Sequence, residues 1–415
     1  MTRAVITGLG VIAPSGTGTE EHWAATVSGR QCVTSIKQFD TSRYATTLAG
    51  QVDDFVGADF VDDRILVQTD RWTHFSLAAA ALALADGDYD PSDPARSPYD
   101  TGVVLGVGSG GNEFGQREIS ALWTDGREAV SAYQSIAWFY AASTGQTSIR
   151  HQTKGPSGVV VTEAAGGLDS LAQARRVIRR GTGAVLAGAT EAALTPYALT
   201  CQMTSGRLSV ATEPERAYKP FDVSANGYVL GEGGAILLVE DAARAANRGS
   251  PHVYGEIAGY GATHDGDGFQ SPLPDPRFYA AAMRRALADA ELSPEDIDVV
   301  YADGAGDPDL DRLEARALTD VFGARRIPVP VTAPQGLIGR LSAGGSAVAV
   351  ANALLSIRHG VIPAVGNLDT PFPGCDLDLV RRPRSGPVQT VMVNARGIGG
   401  FNSSLIVRGV EARTG

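Results

Sequence analysis

The chain has 415 residues, more than a single hydrophobic core ordinarily serves, so two core-sharing halves or two domains are expected. With 43% hydrophobic and 20% charged residues it has a globular composition, and its 50 glycines and 22 prolines follow no period that would mark a linker or low-complexity tract. A net charge of −11 argues against nucleic acid or an anionic membrane as partner, because both require a basic face.

In chain order, Arg3 to Thr7 reads as a short apolar strand closed by Gly8-Leu9-Gly10, with no signal peptide before it. Thr19 is placed to cap a helix through Trp23 and Val27 that stops at Gly29. Trp72 to Leu84 is apolar around most of its circumference, which predicts a buried helix. Asp100 to Gly108 then reads as strand and glycine turn, and Asp298 to Gly306 repeats that pattern. Val253 to Gly261 likewise echoes Arg3 to Gly10, so the chain divides near Ala242 to Ser250 into halves 1–245 and 246–415. Ser342 to Arg358 is a second all-round apolar helix; two such helices predict a helical layer between sheets in an α/β fold. No apolar run is long enough to span a bilayer. Cys32, Cys201 and Cys375 form no Cys-x-x-Cys, which suits a reducing, cytoplasmic location.

Several stretches have two readings. Gly106-Val107-Gly108-Ser109-Gly110-Gly111 has dinucleotide-fingerprint spacing, but no acidic residue follows on a second strand, so a strand-ending turn is the better reading. Ser109 lacks the Gly-x-Ser-x-Gly context of a hydrolase. Cys201 has no base in its neighbourhood and reads as a small buried apolar residue. The six histidines sit in no metal spacing, so no metal site is expected.

Three frames carry the chemistry: Gly155-Pro156-Ser157 through Glu163-Ala164-Ala165-Gly166-Gly167; Val299-Val300-Tyr301-Ala302-Asp303-Gly304-Ala305-Gly306; and Gln335-Gly336-Leu337-Ile338-Gly339-Arg340-Leu341-Ser342. Together with Arg3 to Gly16, Gly206 to Ser209, Pro220 to Ala235 and Gly397 to Asn402, they occur in an order that resembles the β-ketoacyl synthases over nearly the whole chain. The resemblance implies a thiolase fold, duplicated α/β halves in a five-layer αβαβα arrangement. It also implies cysteine at 164, histidine at 303 and 340, and lysine at 335. Here those positions hold Ala164, Asp303, Arg340 and Gln335. Asn112 to Gln116, Val130 to Tyr140 and Leu171 to Arg176 are similar to the chain length factors, the ketosynthase-beta subunits of bacterial type II polyketide synthases. Those subunits commonly carry glutamine at position 164, so the alanine is a departure.

The losses have definite chemical meaning. A condensing enzyme needs a thiolate at a helix amino terminus, where the dipole lowers its pKa. Ala164 offers no reacting atom. Two imidazoles would stabilise the enolate formed on decarboxylation, and Asp303 would repel that charge. Arg340 cannot exchange a proton near neutrality. Because the family's two histidines adjoin, Asp303 and Arg340 are expected to pair. Glu314 is read as structural.

By resemblance, the chain is the non-nucleophilic half of a heterodimer with a ketosynthase-alpha subunit. It would need no cofactor beyond the phosphopantetheine arm of an acyl carrier protein. Its expected tunnel residues toward a polyketide intermediate are Asn112, Phe114, Tyr133, Tyr197 and Ala198, and its expected interface residues are Ser131, Tyr133, Trp138 and Phe139. The competing readings are a purely structural partner and a malonyl-carrier decarboxylase used for priming.

Overall fold

The computed structural model describes residues 2–266 and 275–410. Its main strands are β1 (Ala4–Ala13), β2 (Thr101–Gly106), β3 (Ser157–Val160), β4 (Ala184–Glu191), β5 (Gly233–Asp241), β6 (Gly255–His264), β7 (Val299–Tyr301), β8 (Pro330–Thr332), β9 (Asp378–Leu379), β10 (Thr390–Gly397) and β11 (Phe401–Arg408). The helices needed below are α1 (Thr19–Ser28), α2 (Arg71–Asp86), α3 (Asn112–Asp125), α4 (Gln134–Ala137), α5 (Ala142–Arg150), α6 (Gly166–Arg179), α7 (Pro196–Met203), α8 (Pro276–Asp289), α9 (Pro308–Phe322) and α10 (Ala343–His359).

The strands run across one sheet in the order β9-β8-β7-β10-β11-β6-β1-β5-β4-β2-β3. Read outward from its centre, that order is the same motif twice. β1, β5, β4, β2 and β3 correspond to β6, β11, β10, β7 and β8, with antiparallel and parallel pairings matching step for step. The halves join where Val5 and Ile6 pair with Glu256 and Gly255. The two sequence echoes fall on equivalent strands, β1 with β6 and β2 with β7. The connecting helices are equivalent too: α6 follows β3, and α10 follows β8.

Helices α6 and α10 lie between the halves and touch strands of both, while α2 and α5 cover one outer face and α8 and α9 the other. The layers are therefore αβαβα. Glycine permits the central contact, because a Cβ at Gly167 would stand 2.6 Å from the Ala343 carbonyl oxygen.

Three sequence expectations need correction. The strand at the amino terminus does not close at Gly8-Leu9-Gly10; it runs on to Ala13. Those glycines let α2 lie on the sheet, since a Cβ at Gly8 or Gly10 would strike the Ala83 or Ala79 carbonyl oxygen at 2.1 and 1.9 Å. Thr19 is the first helical residue of α1 rather than its cap; Gly18 precedes it, and the Thr19 hydroxyl donates to the Leu9 carbonyl at 3.3 Å. Gly29 does end α1 in the left-handed region at φ 71°. Finally, the Trp72–Leu84 segment is buried, but α2 is an outer helix covered by α5, not part of the central layer. The second central helix is α6, which buries Asp169 and Arg175 among its apolar residues. Asp169 accepts hydrogen bonds from Thr162 at 2.6 Å and Tyr260 at 2.8 Å, while Arg175 donates to the Ala258 carbonyl at 2.8 Å and pairs with Asp289. Such partners make buried polar residues tolerable.

Candidate functional site

The chain turns sharply between β3 and α6. Glu163 takes φ 50°, a left-handed backbone that is costly for a residue with a Cβ. Its carboxylate holds the turn in place, accepting 2.8 Å hydrogen bonds from the Ser342 hydroxyl and the Ile398 N–H. Ser342, at φ 47°, is the matching strained residue before α10. Ala164 sits in this elbow, 4% exposed, at the amino-terminal end of α6.

Asp303 follows β7. Its N–H and that of Gly304 donate to the two oxygens of Glu314 on α9, each at 2.8 Å. Glu314 also accepts from the Tyr279 hydroxyl at 3.1 Å, which supports the structural reading. Burial, aided by the Asp303 charge, pushes the Glu314 carboxyl up to about 7. Arg340 is fixed through its backbone, with its N–H donating to the Val229 carbonyl at 2.9 Å and its carbonyl accepting from Gly231 at 3.0 Å. Its guanidinium meets Asp303 with both terminal nitrogens, at 3.2 and 3.3 Å, and donates to the Arg396 carbonyl at 2.9 Å. Asp303 accepts a further bond from the Arg396 N–H at 3.1 Å. Each of the two side chains is 11% exposed. The expected pairing is present, and it neutralises two charges that would otherwise be expensive to bury. Burial alone would lower the Arg340 pKa, but the surrounding anions, Asp303 foremost, raise it.

Gln335 donates from Nε2 to the Ala302 carbonyl at 3.0 Å and to that of Asp303, so it braces the strand end rather than presenting a charge. Ala164, Asp303, Gln335 and Arg340 all border one cavity of about 40 Å³, room for two or three waters. Asn352 and Asn394 add two amides to its polar lining. One amide atom of Asn394, Oδ1, accepts from Ser404 at 2.7 Å, while its buried Nδ2 has no protein partner. Among the described residues, no thiol or imidazole borders the cavity. Its hydroxyls are already committed, Tyr218 to the Gly304 carbonyl at 2.9 Å, Ser342 to Glu163, and Ser346 to the Ala343 carbonyl at 3.1 Å. The geometry of a reacting centre is retained without a nucleophile or a proton-transferring base.

The other predicted positions lie elsewhere. Asn112 and Phe114 are on the first turn of α3, with Phe114 only 3% exposed under the Arg117 guanidinium. Tyr197 and Ala198 are on the first turn of α7, the tyrosine exposed and the alanine buried. The two turns adjoin, since the Tyr197 N–H donates to Gln116 of α3 at 2.8 Å. None of these residues borders that cavity. The segment with Ser131, Tyr133, Trp138 and Phe139 packs over the glycine turn, where a Cβ at Gly111 would stand 2.2 Å from the Ala137 carbonyl oxygen. Ala137 is buried there, but Tyr133, Trp138 (50% exposed), Phe139 and Tyr140 face outward. The aromatics do not fill the chain's own core. Ile119, Leu122 and Trp123 (84% exposed) on α3 add to the open apolar surface, and β3 is an edge strand of the sheet. Cys201 is exposed on α7 and lies outside that cavity, so it is not the buried cysteine that the sequence suggested.

Sequence reasoning missed Glu163, Asn352 and Asn394. The first stood beside Ala164 in the quoted frame, an acidic residue at a turn that ordinarily favours small ones; the asparagines had no sequence signal.

Residues 1–245 match the β-ketoacyl synthase amino-terminal domain and residues 254–369 its carboxy-terminal domain. The tetracenomycin polyketide synthase ketoacyl synthase beta subunit of Streptomyces glaucescens is 51% identical over 406 residues, spanning 97% of this chain and 98% of that protein. Among solved structures, the ishigamide ketosynthase/chain length factor superposes with a TM-score of 0.90 at 26% identity, over 99% of both chains. A type II polyketide synthase acyl-carrier protein in complex with its ketosynthase, bound to the hexaketide, gives 0.88 at 27% identity over 99% of this chain and 100% of that one. With its duplicated halves and a catalytic frame that holds alanine, aspartate and arginine, the chain belongs to the β-ketoacyl synthase family.

Proposed function

We propose that this chain is the chain length factor of a type II polyketide synthase, the non-nucleophilic partner of a ketosynthase-alpha subunit. The observation that carries the reading is an intact elbow and cavity whose reacting positions are Ala164 and a mutually neutralised Asp303–Arg340 pair. The 51% identity to a ketoacyl synthase beta subunit over almost its whole length supports the assignment. In the pair, the partner supplies the thiolate and histidines that condense malonyl units delivered by an acyl carrier protein. This chain closes the far end of the tunnel, with Asn112, Phe114, Tyr133, Tyr197 and Ala198 as its wall. No cofactor is required besides the carrier's phosphopantetheine arm, and the pair works in the cytoplasm.

An unassisted decarboxylase is disfavoured. The carboxylate of Asp303 stands where developing enolate charge would need a donor, and Arg340 is already engaged by Asp303 and the Arg396 carbonyl. The purified chain alone should show no malonyl-carrier decarboxylation or condensation above a protein-free background. Mixing it with its ketosynthase should restore elongation, and a thiol-directed ketosynthase inhibitor should label only the partner. Turnover by the isolated chain would overturn the reading.

A further inference from the structure

Helix α7 starts at Pro196, which has no N–H to donate, and its next two N–H groups are met from two directions. Ala198 N–H donates to the Thr195 hydroxyl at 3.1 Å, within its own turn. Tyr197 N–H donates at 2.8 Å to Oε1 of Gln116, which belongs to α3 and lies 81 residues earlier. The amino terminus of α3 is completed in the same borrowed manner. The Asp70 carboxylate accepts from Trp72 of α2 at 3.4 Å and from Phe114 of α3 at 2.7 Å. Three helix amino termini are thus tied in series by Asp70 and Gln116, and the second tie lies between Phe114 and Tyr197–Ala198.

We infer that Gln116 is a positioning residue that sets the gap between α3 and α7, and with it the length of chain the tunnel accepts. The inference rests on the length-setting reading above. A side-chain acceptor reaching an unsatisfied helix N–H fixes both direction and distance, because the hydrogen bond weakens steeply with either. Gln116 sits two residues beyond Phe114, so a shift of α3 against α7 moves the faces carrying Phe114 and Ala198 relative to one another. Without the tie the gap should widen and admit longer intermediates.

The test uses heterodimers reconstituted with the ketosynthase partner and acyl carrier protein, with product lengths read by mass spectrometry. Gln116→Met keeps the side chain's size and removes the acceptor; Gln116→Glu keeps an acceptor oxygen. The Met variant should raise the ratio of longer to shorter products roughly fivefold, the effect of losing one helix cap, and speed amide exchange at Tyr197. The Glu variant should retain the parental ratio and exchange. A Met variant that exchanges faster at Tyr197 yet keeps the parental ratio overturns the inference, and so does a Glu variant that shifts as far as the Met one. Ala198→Trp separates the two levels. If it changes product length while Gln116→Met does not, only the positioning role falls; if neither does, the length-setting reading falls and this inference with it.

Discussion

The vacated centre and the aromatic face of Tyr133 to Tyr140 are built on opposite terms. At the centre, both charges introduced in place of catalytic groups find partners within the chain, Asp303 with Arg340 and the Arg396 N–H, and the neighbouring Glu163 is satisfied by Ser342 and Ile398. On the face, Trp138, Phe139 and Trp123 leave half or more of their surface open, although soluble monomers rarely expose a continuous apolar patch of that kind. The first region is complete without a second chain. The second is the face on which we propose that a second chain sits. A subunit can lose its chemistry while its pocket is closed by new internal bonds, but it cannot lose its interface and still reach its partner.

The largest effect should come from breaking the self-sufficient region. Arg340→Leu leaves Asp303 buried without its counter-charge and should cost about 3–5 kcal/mol of stability, read as a lower denaturant midpoint with unchanged slope. Asp303→Leu combined with Arg340→Leu should recover most of that loss. If the single variant is as stable as the parent, the pair contributes nothing and the centre is not closed in this way. Next in size is the open region. Trp138→Asp should weaken association with the ketosynthase by at least about 2 kcal/mol, the scale of an aromatic hot spot, while the melting temperature of the isolated chain hardly moves because the side chain is half exposed. Normal co-purification of a folded variant would remove Trp138 from the interface.

The difference in legibility between these regions has a physical origin. Positions 164, 303, 335 and 340 could be read because each is flanked by glycines whose turns are local, and local backbone geometry is written in short stretches of sequence. The duplicated architecture was visible as strand-turn echoes for the same reason. The central layer was misassigned because an all-round apolar helix reports burial, not which layer buries it. Helix α2 met the criterion as an outer helix under α5, while α6 carried Asp169 and Arg175, whose partners Tyr260, Ala258 and Asp289 lie far along the chain. The bonds from Asp70 to Phe114 and from Gln116 to Tyr197 were silent as well, since a side chain that caps another helix has no local signature, although Asp70 also caps its own α2.

A subtler probe of the closed region is pH. His22 is wholly buried between the Ser15 hydroxyl at 2.6 Å and Asn352 at 2.8 Å, and Asn352 in turn borders the cavity. Burial lowers its pKa to about 4, against the opposing hydrogen bond to Asn352. The folded value lies below the unfolded one, near 6.5, so the unfolded chain binds more protons between them. The associated stability is present above pH 6.5 and is lost as pH falls toward 4, on the order of 2 kcal/mol of it by pH 5. Asp70, Glu191 and Glu314, each raised to about 7 chiefly by burial, act in the opposite sense. The diagnostic is therefore the difference between the parent and His22→Gln, whose stability should fall less between pH 7.5 and 5. Equal slopes would show that His22 titrates normally.

The smallest effect concerns the adjoining amino-terminal turns of α3 and α7. Ala198 is buried on the first turn of α7, beside the first turn of α3, so Ala198→Trp adds bulk to packed surroundings. Overpacking costs about 1–3 kcal/mol, and even the low end changes a partition between stopping and one further extension roughly fivefold. The expected outcome is shorter products from the reconstituted heterodimer. Tyr197→Gly should act oppositely and with little loss of stability, because that side chain is exposed in the single chain. Phe114→Ala is the less clean probe: Phe114 is buried under Arg117, so its truncation opens a cavity in this subunit besides any change at the proposed tunnel wall. If Ala198→Trp and Tyr197→Gly change only the total yield, the open face serves assembly alone and product length is set by the partner.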